Sequence, residues 1–164
     1  MPDHDTSDLD AKVLTVSDGV IHGTREDKSG VALVELLTEH GYNVVEQRVV
    51  ADGVENVSEA LIELANDFAG VVITTGGTGF GPRDLTPEAT KLVLEREAPG
   101  IAEAMRLCNP KGLGRLSRAL AGTRGTALIL NAPGSPKGAV ETVTAVIDVI
   151  PHAVRLMTAE PTDH

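Results

Sequence analysis

Residues 71–88 hold the densest chemistry in the chain. Gly76, Gly77, Gly79 and Gly81 fall within six residues, and Asp84 follows three positions after the last. Val71-Val72-Ile73 reads as a short buried strand before them. Thr86-Pro87-Glu88 reads as a helix start after them, with Thr86 as N-cap and Pro87 in the first helical position. Strand, glycine-rich loop and helix N-terminus cradle an anion such as phosphate, because backbone N–H groups and the positive end of the helix dipole face the ligand. A carboxylate beside a phosphate is repulsive unless a cation or a proton lies between. Asp84 therefore points to metal-assisted phosphate chemistry. The loop is not a P-loop: Gly76 and Gly81 have that spacing, but Pro82-Arg83 stand where Lys and Ser or Thr are needed. Nor is it the dinucleotide fingerprint, since Gly77, Gly79 and Gly81 are spaced by two. The plain alternative is a flexible connection whose glycines supply positive φ, although four glycines exceed what a turn requires.

These residues need elements to hold them. Residues 12–17, 43–50, 71–75 and 126–131 read as strands. Residues 31–40 follow helical spacing. Ser58 is expected to cap a helix running to about Phe68, with Val57 and Ile62 as its hydrophobic staple. Further helices are expected over 87–96 and 98–107. A last one runs from Ser135 to Met157, where Pro151 should kink or split it. Residues 18–30 read as a polar loop. Residues 109–125 are glycine-rich and basic and read poorly, with a short helix near 117–120 as the expectation. Alternating strands and helices argue an α/β fold: a single three-layer domain with a mostly parallel sheet. The domain is placed at 11–157, between a flexible acidic tail (1–10) and a second flexible tail (158–164).

In open α/β sheets, ligands bind beyond the carboxyl ends of the strands. That selects Ser17-Asp18, Asp52-Gly53, the loop from Gly76 to Asp84, and the loop from Asn131 to Ser135. Asp52 and Asp84 leave different strands on one edge of the sheet. Together they suit Mg²⁺ binding, or a shared general-base role with one pKa raised. An ordinary Asp-Gly turn is the other reading of Asp52. Asp18 and Asp27 read better as turn or cap residues. Arg83 and Lys137 are the cations nearest the two helix starts, placed either to neutralise phosphate or simply to be solvated. Ser135 reads as an N-cap, and Cys108 as a small buried or half-buried residue.

The net charge of −10 argues against nucleic acid, and 2% aromatic residues offer little for base stacking. A single cysteine excludes an intrachain disulfide, and no His pair has metal-ligand spacing. The N-terminus lacks a signal-peptide layout and no apolar run approaches transmembrane length. A cytoplasmic protein without membrane contact is expected.

The segments Thr74-Thr75-Gly76-Gly77-Thr78-Gly79 and Pro82-Arg83-Asp84-Leu85-Thr86-Pro87-Glu88 resemble the signature of the molybdopterin-binding Mog/MoaB family of molybdenum cofactor biosynthesis. That family includes the G domains of gephyrin and of its plant homologue. Val16-Ser17-Asp18, Asp27-Lys28-Ser29-Gly30 and the stretch from Asn131 to Lys137 resemble its other motifs, in the same order. The resemblance implies a molybdopterin-binding-like fold, assembled as a homotrimer. It implies adenylyl transfer with Mg²⁺: ATP and molybdopterin give adenylyl-molybdopterin and pyrophosphate. The family's two acidic positions fall on Asp52 and Asp84, which would be catalytic and would hold the metal. Substrate binding is implied for Ser17, Asp18, Thr75, Gly76, Gly77, Thr78 and Gly79, and for Asn131, Pro133, Gly134, Ser135 and Lys137. The product would pass to a molybdate insertase, a transient partner. The alternative is a non-catalytic, pterin-binding scaffold member of the same family.

Overall fold

The computed structural model describes residues 9–158. The chain runs β1 (Asp10–Val16), α1 (Asp18–Ile21), α2 (Lys28–Glu39), β2 (Asn43–Val50), α3 (Val54–Ala65), β3 (Gly70–Thr75) and α4 (Thr86–Val93). It continues through β4 (Arg96–Glu97), α5 (Pro99–Leu107), a 3₁₀ turn (Leu113–Leu116), β5 (Ala121–Arg124), β6 (Ala127–Ala132), α6 (Pro136–Thr144) and α7 (Ile150–Met157). The sheet has the order β2-β1-β3-β6-β5-β4. The first four of these strands are mutually parallel, and β5 runs antiparallel to both β6 and β4.

The central strands β3 and β6 are buried at every position, which is why they read as continuous apolar runs rather than alternating ones. The two-residue period sends Val13, Ile73 and Leu130 to one face, against Leu37 of α2 and Val143 of α6. It sends Leu14, Val72 and Ile129 to the other, against Leu61 of α3 and Val93 of α4. Each such side chain contributes about 1.5–3 kcal/mol through burial. The three-layer, mostly parallel expectation therefore holds.

Several local expectations need correction. The antiparallel strands β4 and β5 were not foreseen, because they are short and carry Gly122, Thr123 and charged residues rather than an apolar run. Helix α3 begins at Val54 behind Gly53, not at Ser58. The Ser58 hydroxyl lies inside the helix and donates to Glu55 O at 3.2 Å, and Ile62 is exposed, so there is no staple. Thr86 is the first residue of α4 rather than its cap; it is fully buried and its hydroxyl donates to Gly76 O at 2.9 Å. The expected last helix is two, with Pro151 in the first turn of α7, where its missing N–H costs nothing. Within the expected polar loop 18–30, Ser17 caps α1 and Asp27 caps α2. Residues 1–8 and 159–164 of the expected tails lie outside the described residues. Asp10 opens β1 and Thr158 closes α7.

Candidate functional site

Helix α2 follows β1 on one face of the sheet, and α4 follows the neighbouring β3 on the other. The loops after these strands diverge there, leaving the crevice where α/β sheets bind ligands. A cleft of 1410 Å³ opens at this point, lined by the glycine loop, Asp52, Asp84 and the 133–137 segment. The loop can turn so sharply because Gly76 and Gly77 take φ of 105° and 71°, a region that L side chains rarely adopt. A Cβ on Gly76 would sit 2.2 Å from Val16 O, and one on Gly77 2.2 Å from Thr86 Oγ1. The loop backbone is thus pressed onto the ends of β1 and α4.

Three strand ends meet through a carboxylate network. The Asp18 N–H donates to Asp52 Oδ2 at 2.9 Å, and the Asp52 N–H donates to Asp18 Oδ1 at 3.1 Å. Arg83 forks onto Asp18, with Nε and Nη2 each 3.0 Å from a carboxylate oxygen. Nη2 also donates to Asp52 O at 2.9 Å. This pairing holds the Asp18 carboxyl below its ordinary pKa. Asp52 is shifted the other way: burial raises its pKa, with Asp18 and Asp84 adding repulsion. Arg83 is thus committed to Asp18 rather than offered to a phosphate.

Asp84 lies further along the glycine-rich loop, near enough to add repulsion at Asp52. Its Oδ2 accepts from Gly81 N–H at 2.9 Å, and its own N–H donates to Gly81 O at 3.0 Å. A Cβ on Gly77 would lie 3.3 Å from Asp52 Oδ1, and one on Gly79 would lie 3.0 Å from Asp84 Oδ2. The two aspartates therefore flank one short stretch of backbone. Each keeps an Oδ1 that receives no hydrogen bond among the described residues. No cluster of three or more His, Cys, Asp or Glu that could hold a metal exists among them. Two hard carboxylate oxygens suit Mg²⁺, which retains waters and takes further oxygens from a bound phosphate.

The other expected site residues divide into two sets. Thr78, Gly79, Pro133, Gly134 and Lys137 line the cleft. A Cβ on Gly134 would be 3.3 Å from Gly76 Cα, so the two loops touch. Lys137 is largely exposed, with Glu141 3.9 Å away. Ser17, Thr75, Asn131 and Ser135 line the cleft as well, but their side chains are engaged within the protein. Ser17 Oγ accepts from Val20 N–H, Ser135 Oγ accepts from Gly138 N–H, and the Thr75 hydroxyl donates to Pro133 O. Asn131 is fully buried. Its Nδ2 donates to Thr74 Oγ1 and Thr90 Oγ1, both at 3.0 Å, and its Oδ1 accepts from Leu120 N–H at 3.0 Å. Both of its amide N–H donors are thus used inside the fold. Asp18 does not line the cleft. Cys108 is exposed, against the buried or half-buried expectation.

Sequence reasoning missed Arg25, Lys28 and Arg106, which bring positive charge to the cleft. It also missed Arg118, which binds the glycine loop from outside. Only the basic composition of 109–125 hinted at that residue, and nothing in it marked one position.

Residues 12–152 match the family described as probable molybdopterin binding domain. The chain is 41% identical over 150 residues to the molybdopterin adenylyltransferase of Helicobacter pylori J99, covering 88% of this chain and 85% of that one. It is 38% identical over 143 residues to the molybdopterin adenylyltransferase of Escherichia coli K12, covering 83% and 72%. Its fold superposes with a TM-score of 0.88 on the molybdopterin biosynthesis enzyme MoaB of Thermus thermophilus, at 43% identity over 93% of this chain and 98% of that one.

Proposed function

The chain belongs to the molybdopterin-binding domain family, and on that premise we propose that it is a molybdopterin adenylyltransferase of molybdenum cofactor biosynthesis. It joins ATP and molybdopterin to give adenylyl-molybdopterin and pyrophosphate. The observation that carries this reading is the pair Asp52 and Asp84 beside the same tightly folded glycine loop, Asp52 against Gly77 and Asp84 against Gly79.

Both reactants are anionic, so the barrier is largely repulsion and alignment. The terminal phosphate of molybdopterin attacks the α-phosphorus of ATP, and the bond to the β-phosphate oxygen breaks. Asp52 and Asp84 would hold Mg²⁺ by their Oδ1 atoms; the ion, when bound, neutralises charge on the phosphates. Backbone N–H groups of the glycine loop and the Thr78 side chain position an anionic group. The 133–137 segment closes the other wall, and Arg25, Lys28, Arg106 and Lys137 offset the negative charge of the substrates. The raised pKa of Asp52 comes first from its burial, with repulsion from Asp18 and Asp84 added, as fits a carboxylate in a functional cleft.

The protein would act as a homotrimer in the cytoplasm, where ATP and Mg²⁺ are supplied, and would hand its product to a molybdate insertase. Among the described residues, no helix is long and apolar enough to cross a membrane. Light scattering is expected to give three times the chain mass of 17.1 kDa, and a monomer mass at micromolar concentration would count against the trimer.

The direct test is incubation with molybdopterin, Mg²⁺ and α-labelled ATP. Label on the pterin is the expected result. Tight pterin binding without label would favour the scaffold role instead.

A further inference from the structure

Residues 78–84 carry Asp84 and include Gly79 and Gly81. Such a loop has many backbone states to lose on ordering. Inside it, the paired hydrogen bonds of Gly81 and Asp84 close only the last turn. The wider closure comes from Arg118. Its N–H donates to Thr78 O at 3.0 Å, its Nε to Gly79 O at 2.8 Å and its Nη2 to Asp84 O at 2.6 Å. Its Nη1 lies 2.7 Å from Glu88 Oε2, in the first turn of α4. One residue thus spans both ends of the loop and the helix that follows. A guanidinium suits this, because its planar fork meets several fixed acceptors at once. Arg118 does not line the cleft, so it acts from behind the loop.

We propose that Arg118 is a positioning residue for adenylyl transfer, setting the place of the Asp84 carboxylate by clamping residues 78–84 onto α4. The kinetic part of this inference rests on the adenylyl-transfer reading; the structural part does not. The partly exposed ion pair with Glu88 adds little to global stability, so the effect of losing the clamp is local.

Arg118→Lys keeps the charge but cannot reach the Gly79 and Asp84 carbonyls and Glu88 together. Arg118→Gln is the second variant should the first fail to fold. Hydrogen exchange on the full chain, without substrate, is expected to quicken at least ~10-fold for the amides of 78–84 while those of β3 stay protected. Single-turnover transfer should fall at least ~10-fold, with the Kd for molybdopterin changed less than about threefold. Adding Arg118→Lys to Asp84→Asn should cost little more, since both act through one group. Unchanged loop exchange overturns the clamp. An equal loss of transfer in the wild-type and Asp84→Asn backgrounds overturns its action through Asp84. If the wild-type protein transfers no label, the adenylyl-transfer reading fails and the kinetic part with it, while loop exchange still decides whether Arg118 holds Asp84 in place.

Discussion

Asp18 and Asp52 cap one another across the ends of two parallel strands, each backbone N–H donating to the other's carboxylate at 2.9 and 3.1 Å. The exchange leaves the two side chains with different duties. Asp18 is neutralised by the Arg83 fork, so it ties the end of β1 to the loop that carries Asp84. Asp52 has no such partner and turns its free oxygen toward Gly77. Asp18 thus serves as a strut, in keeping with its reading as a turn or cap residue, and Asp52 keeps one carboxylate oxygen free of hydrogen bonds among the described residues.

Replacing the available carboxylates separates binding from chemistry. Asp84→Asn keeps the shape and removes one negative charge. Molybdopterin affinity should be unchanged or slightly tighter, while transfer falls at least ~10²-fold, the scale of one transition-state electrostatic contact. Asp52→Asn should behave alike, and the double variant should lose less than the product of the two losses. Pterin affinity measured beside single-turnover label transfer checks this. Loss of both together in Asp84→Asn would make that residue a pterin-holding group.

The raised pKa of Asp52 has a sign that can be measured. Above the unfolded value of about 3.9, the native state holds this proton more tightly than the unfolded chain. The group therefore costs stability as pH rises through that value and past its folded pKa. Asp52→Asn should melt above wild type at pH ~7, and its advantage should shrink toward pH ~4. Thermal melts across that range test the trend; an advantage that grows on acidification would contradict it. Arg83 lowers the pKa of Asp52, so Arg83→Met should move the acid limb of the transfer rate to higher pH.

Two glycines of the loop should respond differently to the same added methyl. Gly77→Ala meets Thr86 Oγ1 at 2.2 Å with φ at 71°, and should lose about 2–4 kcal/mol of stability from strain and overpacking. At Gly79 the methyl sits 3.0 Å from Asp84 Oδ2 and φ is not positive. Gly79→Ala should cost under about 1 kcal/mol yet slow transfer more than ~10-fold by displacing the carboxylate. Urea midpoints read the first effect, and single-turnover rates the second.

Asn131→Ala should destabilise by about 2–4 kcal/mol, because it strands the Leu120 N–H and removes the donor to two buried threonines. Urea denaturation with an unchanged slope is the check. A variant as stable as wild type would show that these bonds do not hold the fold.

The sequence by itself determined the strands β1, β3 and β6, the glycine loop and the Ser135 cap. Each of these is written locally: an apolar run, a cluster of one residue type, or a hydroxyl just before a proline. Tertiary structure alone decided what the polar residues do. Sheet register places Thr74 opposite Asn131, and the two-residue period turns both toward α4, where Thr90 completes the bond. Arg118 and Gly79 are far apart in the chain, as are Arg83 and Asp18, and no local pattern says that they meet. The same holds for Thr86, whose hydroxyl is drawn from its expected capping role by the Gly76 carbonyl ten residues earlier. A side-chain hydrogen bond goes to whatever partner the packed layers bring within about 3 Å, and that is a property of the closed fold rather than of the neighbouring sequence.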